Sequence, residues 1–550
     1  MFCWCSTART IVVSTGNGEG KGSLSEAIDE ANRDTSPDTI VFEGIETIHL
    51  TKELPTITAP AVIDGRPAGG VTIIAGSSED AAYTRRIFTV NYRDGNVLSG
   101  SFATGFAGLT LAGGRAEQGG GIYNALFGGK MTVTNCRFVN NRAEKAGGAL
   151  WSRCHTQVLH SDFDGNECGE AGGAICFYYG TFAPTFISSV EYSVFTNNRA
   201  GHGGAVVAEG LRSYTVNILN CIFSENEAGR GGAVSCIGAN IHNSVFTGNR
   251  ATEGDGGAIS GLGNVYSPGD ILCINSTFFE NRAKDYGGAI GAIPNHSPPD
   301  GRSRVYIAHS TFTGNESGGR GGALYSLNAE LLDNIIAGNK AGDAASNNIF
   351  DQGPVMACCA YDQGILLDGG AIRNNTGNLI ATAGDIFGTA SPQLNVDHAI
   401  EVSGDSPASR NGRQAGYTSG QLYYKEDGEW KRLNPDDSNP PLEEITPVTK
   451  DQAGNERAEN HISMGAWQYP HESGNAALPV RETVEITALS SQTISVKTLR
   501  PVRLEVYTAG GRLILLKNLP EGTTAVPLAT GAGIYVVKAG GVATKVILKD

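Results

Sequence analysis

"FVNNRAEKAGGAL" (Phe138–Leu150), "FDGNECGEAGGAI" (Phe163–Ile175) and "FTNNRAGHGGAV" (Phe195–Val206) are one phrase written three times. It returns at Phe223, Phe246, Phe278 and Phe312, each time as FxxN followed by GGA and a branched aliphatic. The second glycines stand at 120, 148, 173, 204, 232, 257, 288 and 322, a period of roughly two to three dozen residues. Such a period marks a solenoid, in which each unit buries its apolar side only against its neighbours.

The spacing inside the unit says which solenoid. Helical repeats would carry Leu and Ala at 3.6-residue spacing, and no such run occurs. Each unit instead holds short β-branched runs such as "MTVTNC" before Phe138 and "YTVNILNC" before Phe223, broken by Gly and Asn. Two residues before each Phe sits Ser or Cys (Cys136, Ser161, Ser193, Cys221, Ser244, Ser276, Ser310). Five before it sits a mostly aliphatic position (Val133, Val158, Val190, Ile218, Ile241, Cys273, Ile307). These offsets are not a clean period of two, so the chain must bend between short strands and wrap round a core. Coils of a parallel β-helix lie about 4.8 Å apart, so like residues should rest on like. Phe is expected to form an interior stack, and the paired glycines to turn with positive φ and no Cβ to collide with the next coil. Asn is expected to hold a left-handed turn while its amide bonds the Asn above.

GGA[ILV] coupled to FxxN resembles the repeat of the polymorphic outer membrane proteins, over roughly Phe106 to Asn339. The resemblance implies an all-β chain, a right-handed parallel β-helix of the pectin lyase-like kind. An eighth FxxN is degenerate, with Ile336 before Asn339, and "AGDAASNNIF" after it has lost the GGA. Composition agrees: 75 glycines in 550 residues is about twice the usual share. With 41 basic against 56 acidic residues the net charge is −15, which argues against nucleic acid as a partner. No apolar run is long enough for a transmembrane span, and no long series of ten-residue alternating strands announces a membrane barrel.

Five segments are expected: a cap with the first coils (1–105), the repeat β-helix (106–345), last irregular coils with an acidic loop insertion and cap (346–470), a linker (471–480) and a small C-terminal β-sandwich (481–550). In the first, "GSLSEAIDEANRDTSPDTIVFEG" predicts a short helix capped by Ser23, with Glu26 completing a capping box and Leu24, Ala27, Ile28 and Ala31 facing inward. Such a helix hides the open edge of a β-helix, and the segment resembles the GSLREAI-type start of bacterial β-helix proteins. "TIVF", "TIHL", "AVIDG" and "VTIIAG" read as the first rungs. "GDSPASRNG" and "DQAGNERAENHISMGAWQYP" resemble the end of β-helix proteins of the choice-of-anchor Q type, although Ser463–Met464 replaces the usual acidic residue before the GA pair. The stretch 421–460 reads as an exposed insertion. At the C-terminus, "PVRLEVYTAGGRLILLKNL" and "GAGIYVVKAGGVATKVILKD" read as two hairpins of a sandwich of about seven strands. They resemble the sorting domain of the type IX secretion system of Bacteroidetes. That resemblance implies the type IX machinery as a partner and a secreted or outer-surface location. The first fifteen residues carry no signal-peptide pattern, so the natural start is expected to lie elsewhere.

Eleven cysteines, an odd number, leave at least one unpaired. Cys136 and Cys221 replace Ser in the interior column, whereas Cys154, Cys168, Cys176 and Cys236 fall near coil edges, where disulfides between coils are conceivable. No spaced Cys/His set suggests zinc, and no cofactor or metal is expected. Glycoside hydrolysis needs two carboxylates across a cleft. "GHGG" (Gly201–Gly204) mimics a polygalacturonase motif but lies in the GGA slot, which makes His202 a surface turn residue. Asp162 and Asp164 flank Phe163 without further acidic or basic company, so no catalytic set is readable. Binding is the better expectation. Long coils insert their extra residues after the second glycine, at one side of the stack, and Tyr178, Tyr179 and Phe182 there are the candidate ligand-binding residues, able to stack on a sugar or dock a host surface protein. The alternative is a β-helix polysaccharide lyase or glycoside hydrolase.

Overall fold

The computed structural model describes residues 8–76, 85–92, 102–179, 187–210, 215–261, 270–292, 304–352, 354–367, 372–376, 378–389, 391–395, 399–403, 405–409, 411–418, 421–434, 444–457, 462–468, 485–490, 493–498, 502–508, 513–519, 522–528, 533–539 and 542–548. Two compact units appear: residues 1–392 with 400–469, and residues 393–399 with 470–550.

The first unit is a right-handed parallel β-helix. Among the described residues four parallel sheets run its length, here called A (14 strands, Thr10–Val13 to Arg373–Thr376), B (13 strands, Thr47–His49 to Leu379–Ile380), C (11 strands, Phe88–Val90 to Ile365–Leu367) and D (nine strands, Arg115–Gln118 to Lys340–Ala341). Each coil passes from A through B and D, turns at the twin glycines into C, and returns to A. "TIVV" (Thr10–Val13) forms a rung ahead of those expected, pairing in parallel with the expected rung at Asp38–Phe42. The helix α1 (Leu24–Ala31) buries Leu24, Ala27, Ile28 and Ala31, and Ser23 Oγ accepts from the Glu26 N–H at 3.2 Å. The reciprocal bond is displaced by one residue: Glu26 Oε2 accepts from Gly22 N, not from Ser23.

The phenylalanines stack as expected. From Phe138 to Phe312 successive rings lie 4.5–4.9 Å apart and within 6° of parallel. Beside them runs an amide ladder in which each Asn side chain donates to the next coil's Asn Oδ1, from Asn141 through Asn339 and on to Asn348. The ladder asparagines do not take the left-handed conformation predicted for them. That conformation falls on the preceding residue (Asn140, Gly165, Asn197, Glu225, Gly248, Glu280, Gly314), which frees the ladder Asn to point inward. A second left-handed column, Asn135, His160, Tyr192, Asn220, Asn243, Asn275, His309, Asp333 and Cys358, makes the predicted bend between sheets A and B. The Ser that follows it accepts from the backbone N–H of the coil before, as in Cys136 N to Ser161 Oγ and Ser161 N to Ser193 Oγ, both 3.1 Å.

The twin glycines divide their task. Only the first has positive φ, for instance +63° at Gly147 and +59° at Gly231. The second lies against the next coil: a Cβ on Gly232 would meet the Gly257 carbonyl oxygen inside the 3.0 Å that real Cβ atoms essentially never breach. Where the GGA phrase is lost, Asn347 and Asn348 take over, Asn347 offering its carbonyl beneath Gly322 and Asn348 continuing the ladder. The nine described cysteines are all buried, and none is in a disulfide. Cys154, Cys168, Cys176 and Cys236 therefore make no disulfide: Cys154 and Cys236 pack in the main core and Cys176 against Trp151 on the outer wall.

The described coils end at Leu379–Ile380. The described residues of 400–468 do not continue them; their antiparallel sheet (Ala415–Thr418, Gln421–Glu426, Glu429–Arg432, Thr446–Pro447) packs on the flank of sheet A against Val305–Ala308 and Ala329–Leu332. The expected exposed insertion is thus partly a packed hairpin, with Leu422, Tyr423 and Leu433 buried. Arg457 clamps the segment. Fully buried, it donates to the carbonyls of Lys450, Ser463 and Gly465 and to Asn275 Oδ1. Burial brings its pKa down to about 10, which leaves it charged at neutral pH.

The same docking covers His242, whose imidazole meets the Tyr417 ring edge-on at 5.1 Å. Burial lowers its pKa to about 4. A His242 exposed by undocking takes up its proton at a higher pH, so docking is at full strength above that range and weakens as pH falls through it towards about 4. In an NMR titration of His242 we expect a midpoint near pH 4 in the intact chain. Tyr417→Ala should shift it towards 6.5; a midpoint near 6.5 in the intact chain would show that the hairpin does not cover this ring.

The second unit holds two antiparallel sheets, of three strands (Glu485–Ser490, Thr493–Thr498, Gly522–Pro527) and four strands (Val502–Thr508, Leu513–Leu519, Gly533–Ala539, Val542–Leu548). Ile494, Val496 and Val526 of the first and Leu504, Val506 and Val537 of the second are buried. Alternation along each strand places these residues on one inner face, as in a β-sandwich. The expected linker at 471–480 lies outside the described residues.

Candidate functional site

The residue after each GGA[ILV] is the one whose side chain leaves the coil through sheet C, because its two neighbours on the strand point inward. Leu150 and Ser152 are buried in the core, and Trp151 lies between them on the outer face. Along the stack this outward column reads Tyr123, Trp151, Cys176, Val207, Ser235, Ser260, Gly291, Tyr325 and Phe350. Aromatic rings occupy both ends and small residues the middle.

At the first end the rings form a pile. The Arg86 guanidinium lies 4.5 Å over the Tyr123 ring, and Tyr123 stacks on Trp151 at 4.7 Å and 9°. Trp151 in turn stacks on Tyr178 at 5.9 Å and 21°. Trp151 is nearly sealed by Ala146 and Ala171 of the turns before the glycines and by Cys176. Tyr178, two residues further along its strand, is 40% exposed and closes the pile towards solvent. Its register partner is Glu209, on the same face of the next strand. The Glu209 carboxylate lies 3.7 Å from His202 Nε2, and both side chains are about one-third exposed. At the opposite end Tyr286, Tyr325 and Phe350 form a second pile, with Arg320 4.9 Å over Phe350.

Of the predicted binding residues, Tyr178 is thus at the surface on a rigid strand; the side chain of Tyr179 and all of Phe182 lie outside the described residues. His202 sits at the end of the strand Arg199–His202, where the sequence placed a turn, and it is tied to Glu209. The long-coil insertions leave the helix at one corner, as expected. Those after Tyr179, Gly261 and Ala292 each join a strand of sheet C to one of sheet A. Tyr123, Trp151 and Glu209 escaped the sequence reading, although the slot after GGA[ILV] was the signal that would have found the first two.

Asp164 is engaged with Thr196 Oγ1 at 3.0 Å and lies 3.7 Å from Arg137, which fits a surface brace rather than a catalytic pair. His309 and Asp333 approach to 3.7 Å beneath the docked segment, but both are wholly buried. Burial holds the imidazole well below its usual pKa and the carboxyl well above. Sealed from solvent, the pair cannot meet a substrate. Among the described residues no group of three or more His, Cys, Asp or Glu side chains is placed to hold a metal ion, and no helix is long and apolar enough to cross a membrane.

Fold and site together define a parallel β-helix with an aromatic pile on its outer wall, and two of its coils carry repeats similar to those of the polymorphic membrane proteins. The family model described as the Chlamydia polymorphic membrane protein repeat matches residues 243–262 and 309–327, the coils that carry Phe246 and Phe312. No curated protein matches the chain.

Proposed function

We propose that this chain is a secreted or cell-surface β-helix protein of adhesin-like or structural type, which binds a glycan or a host surface protein on the side where its insertion loops leave sheet C. The observation that carries this reading is the Arg86–Tyr123–Trp151–Tyr178 pile, which ends on an exposed ring at that corner. A stacked solenoid suits this work because it holds surface side chains at fixed intervals without large movement on binding. The matched repeat, described as belonging to a membrane protein, supports a surface location. On this reading the C-terminal seven-stranded unit is the type IX sorting domain, recognised and removed during export.

Binding is favoured over catalysis because, among the described residues, no pair of carboxylates is found facing each other across a cleft beside Tyr178, and glycosidic cleavage generally needs two. The test is a screen of the full chain against glycans and host surface proteins, run beside a cleavage assay on polygalacturonate. We expect saturable binding that Tyr178→Ala weakens, and an intact polymer. New chain ends appearing in the polymer would instead make this a β-helix lyase or hydrolase.

A further inference from the structure

We infer that Tyr178, Glu209 and His202 form a subsite for an uncharged pyranose sugar, an inference that rests on the surface-binding reading above and names its ligand class. Three observations meet here. Tyr178 is a flat apolar platform held from behind, since its ring is stacked on Trp151, which is itself fixed against Tyr123. An aromatic ring immobilised in this way loses little rotamer freedom when a ligand arrives, so its contact is available at low entropic cost. Beside the platform, on the same face and in register, stands the Glu209 carboxylate, with the His202 imidazole 3.7 Å from it. A carboxylate accepts from two neighbouring hydroxyls and an imidazole can donate to a third oxygen. A patch of C–H groups on one side and hydroxyls round the rim is what a pyranose presents to such a pair.

The charge pattern decides among sugars. The rim carries a carboxylate, and the chain as a whole bears −15, so uronic acids and sulfated sugars are repelled. The buried Cys176 at the foot of the site is no competing nucleophile, because burial and the Glu209 carboxylate push its thiol well above the ordinary value. No bond is made or broken in this proposal.

The experiment is saturation-transfer NMR on the full chain with the methyl pyranosides of glucose, galactose and mannose, with polygalacturonate as the acidic contrast. In parallel, any protein ligand found in the surface screen is titrated. We expect binding of at least one methyl pyranoside with Kd of about 1 mM, as suits one shallow subsite. Tyr178→Ala should weaken it at least tenfold, Glu209→Gln several-fold, and Tyr178→Phe hardly at all, since the phenyl ring keeps the stacking face. Thermal melts of the variants should match the parent, because Tyr178 and Glu209 lie at the surface. If no pyranoside binds while a protein ligand still needs Tyr178, the sugar class is overturned and the surface-binding reading survives. Preference for polygalacturonate, or indifference to Glu209→Gln, overturns the subsite as drawn. Binding of any ligand that ignores Tyr178→Ala, or the absence of all binding, overturns both.

Discussion

Gly232→Ala should destabilise the β-helix by about 4 kcal/mol or more, at the extreme of what single substitutions do. A Cβ there meets three backbone groups of the next coil: the Gly257 carbonyl and the nitrogen and carbonyl carbon of Arg250. Backbone cannot swing aside as a side chain tip can. The two coils are also joined at this point by Gly232 N to Gly256 O (3.1 Å) and Ala233 N to Ala258 O (2.9 Å). Relief of the overlap therefore means parting rungs and losing those bonds. Gly454→Ala is the control: its φ is +87° but a Cβ there would meet nothing within 4 Å, so only the left-handed penalty of about 1 kcal/mol applies. Urea unfolding of both variants, followed by circular dichroism, measures the difference. If Gly232→Ala accumulates only unfolded, the ranking still stands; equal midpoints would mean that the coils are not packed as closely as drawn.

Asn226→Leu should cost about 4 kcal/mol, through bonds that its neighbours lose rather than through lost volume. The Asn226 side chain accepts from Asn198 N (3.1 Å) and Asn198 Nδ2 (2.9 Å). It donates to Phe195 O (3.0 Å) and Asn249 Oδ1 (2.9 Å). With Leu in its place the Asn198 N–H is left dry and unpaired, at about 1–3 kcal/mol before relaxation, while the Asn198 amide keeps only its bond to Phe163 O and the Phe195 carbonyl loses one of its donors. The same exchange at Asn240, whose amide reaches Asn217 on the outer face of sheet A, should change stability by less than about 1 kcal/mol. Thermal and urea unfolding of the two variants gives the comparison, and a cost at Asn226 no larger than at Asn240 would remove the ladder from the energetics.

These two residue types were also the most legible in the sequence, for the same physical reason. A slot that faces an identical slot one coil away tolerates few residues, so Phe, Asn and Gly recur and announce themselves. Legibility fell wherever a slot faces solvent or a partner that is distant in sequence. The left-handed residue before each ladder Asn is variously Asn, Gly or Glu, because only its backbone matters, so the recurring Asn draws the expectation to the residue after it. Asn347 and Asn348 replace the twin glycines with different chemistry that satisfies the same geometry, so the coil they belong to looked irregular. The flank segment looks like loop in the sequence because its partners, Asn275 for Arg457 and Glu330 for Asn434, lie more than one hundred residues away. No local pattern encodes such a pairing. At the candidate site Tyr178 was visible as an aromatic beside an insertion. The rings behind it were not, since their shared slot holds Cys, Val, Ser and Gly in other coils.

The central claim is that each coil rests in register on the next, like residue on like. X-ray diffraction from crystals of this chain tests it most directly, by the positions of seven rings. The account predicts Phe138, Phe163, Phe195, Phe223, Phe246, Phe278 and Phe312 in one buried column, near-parallel, with centroids 4.5–4.9 Å apart. Rings dispersed through the molecule, or Phe223 and Phe246 separated by an intervening strand, would contradict it.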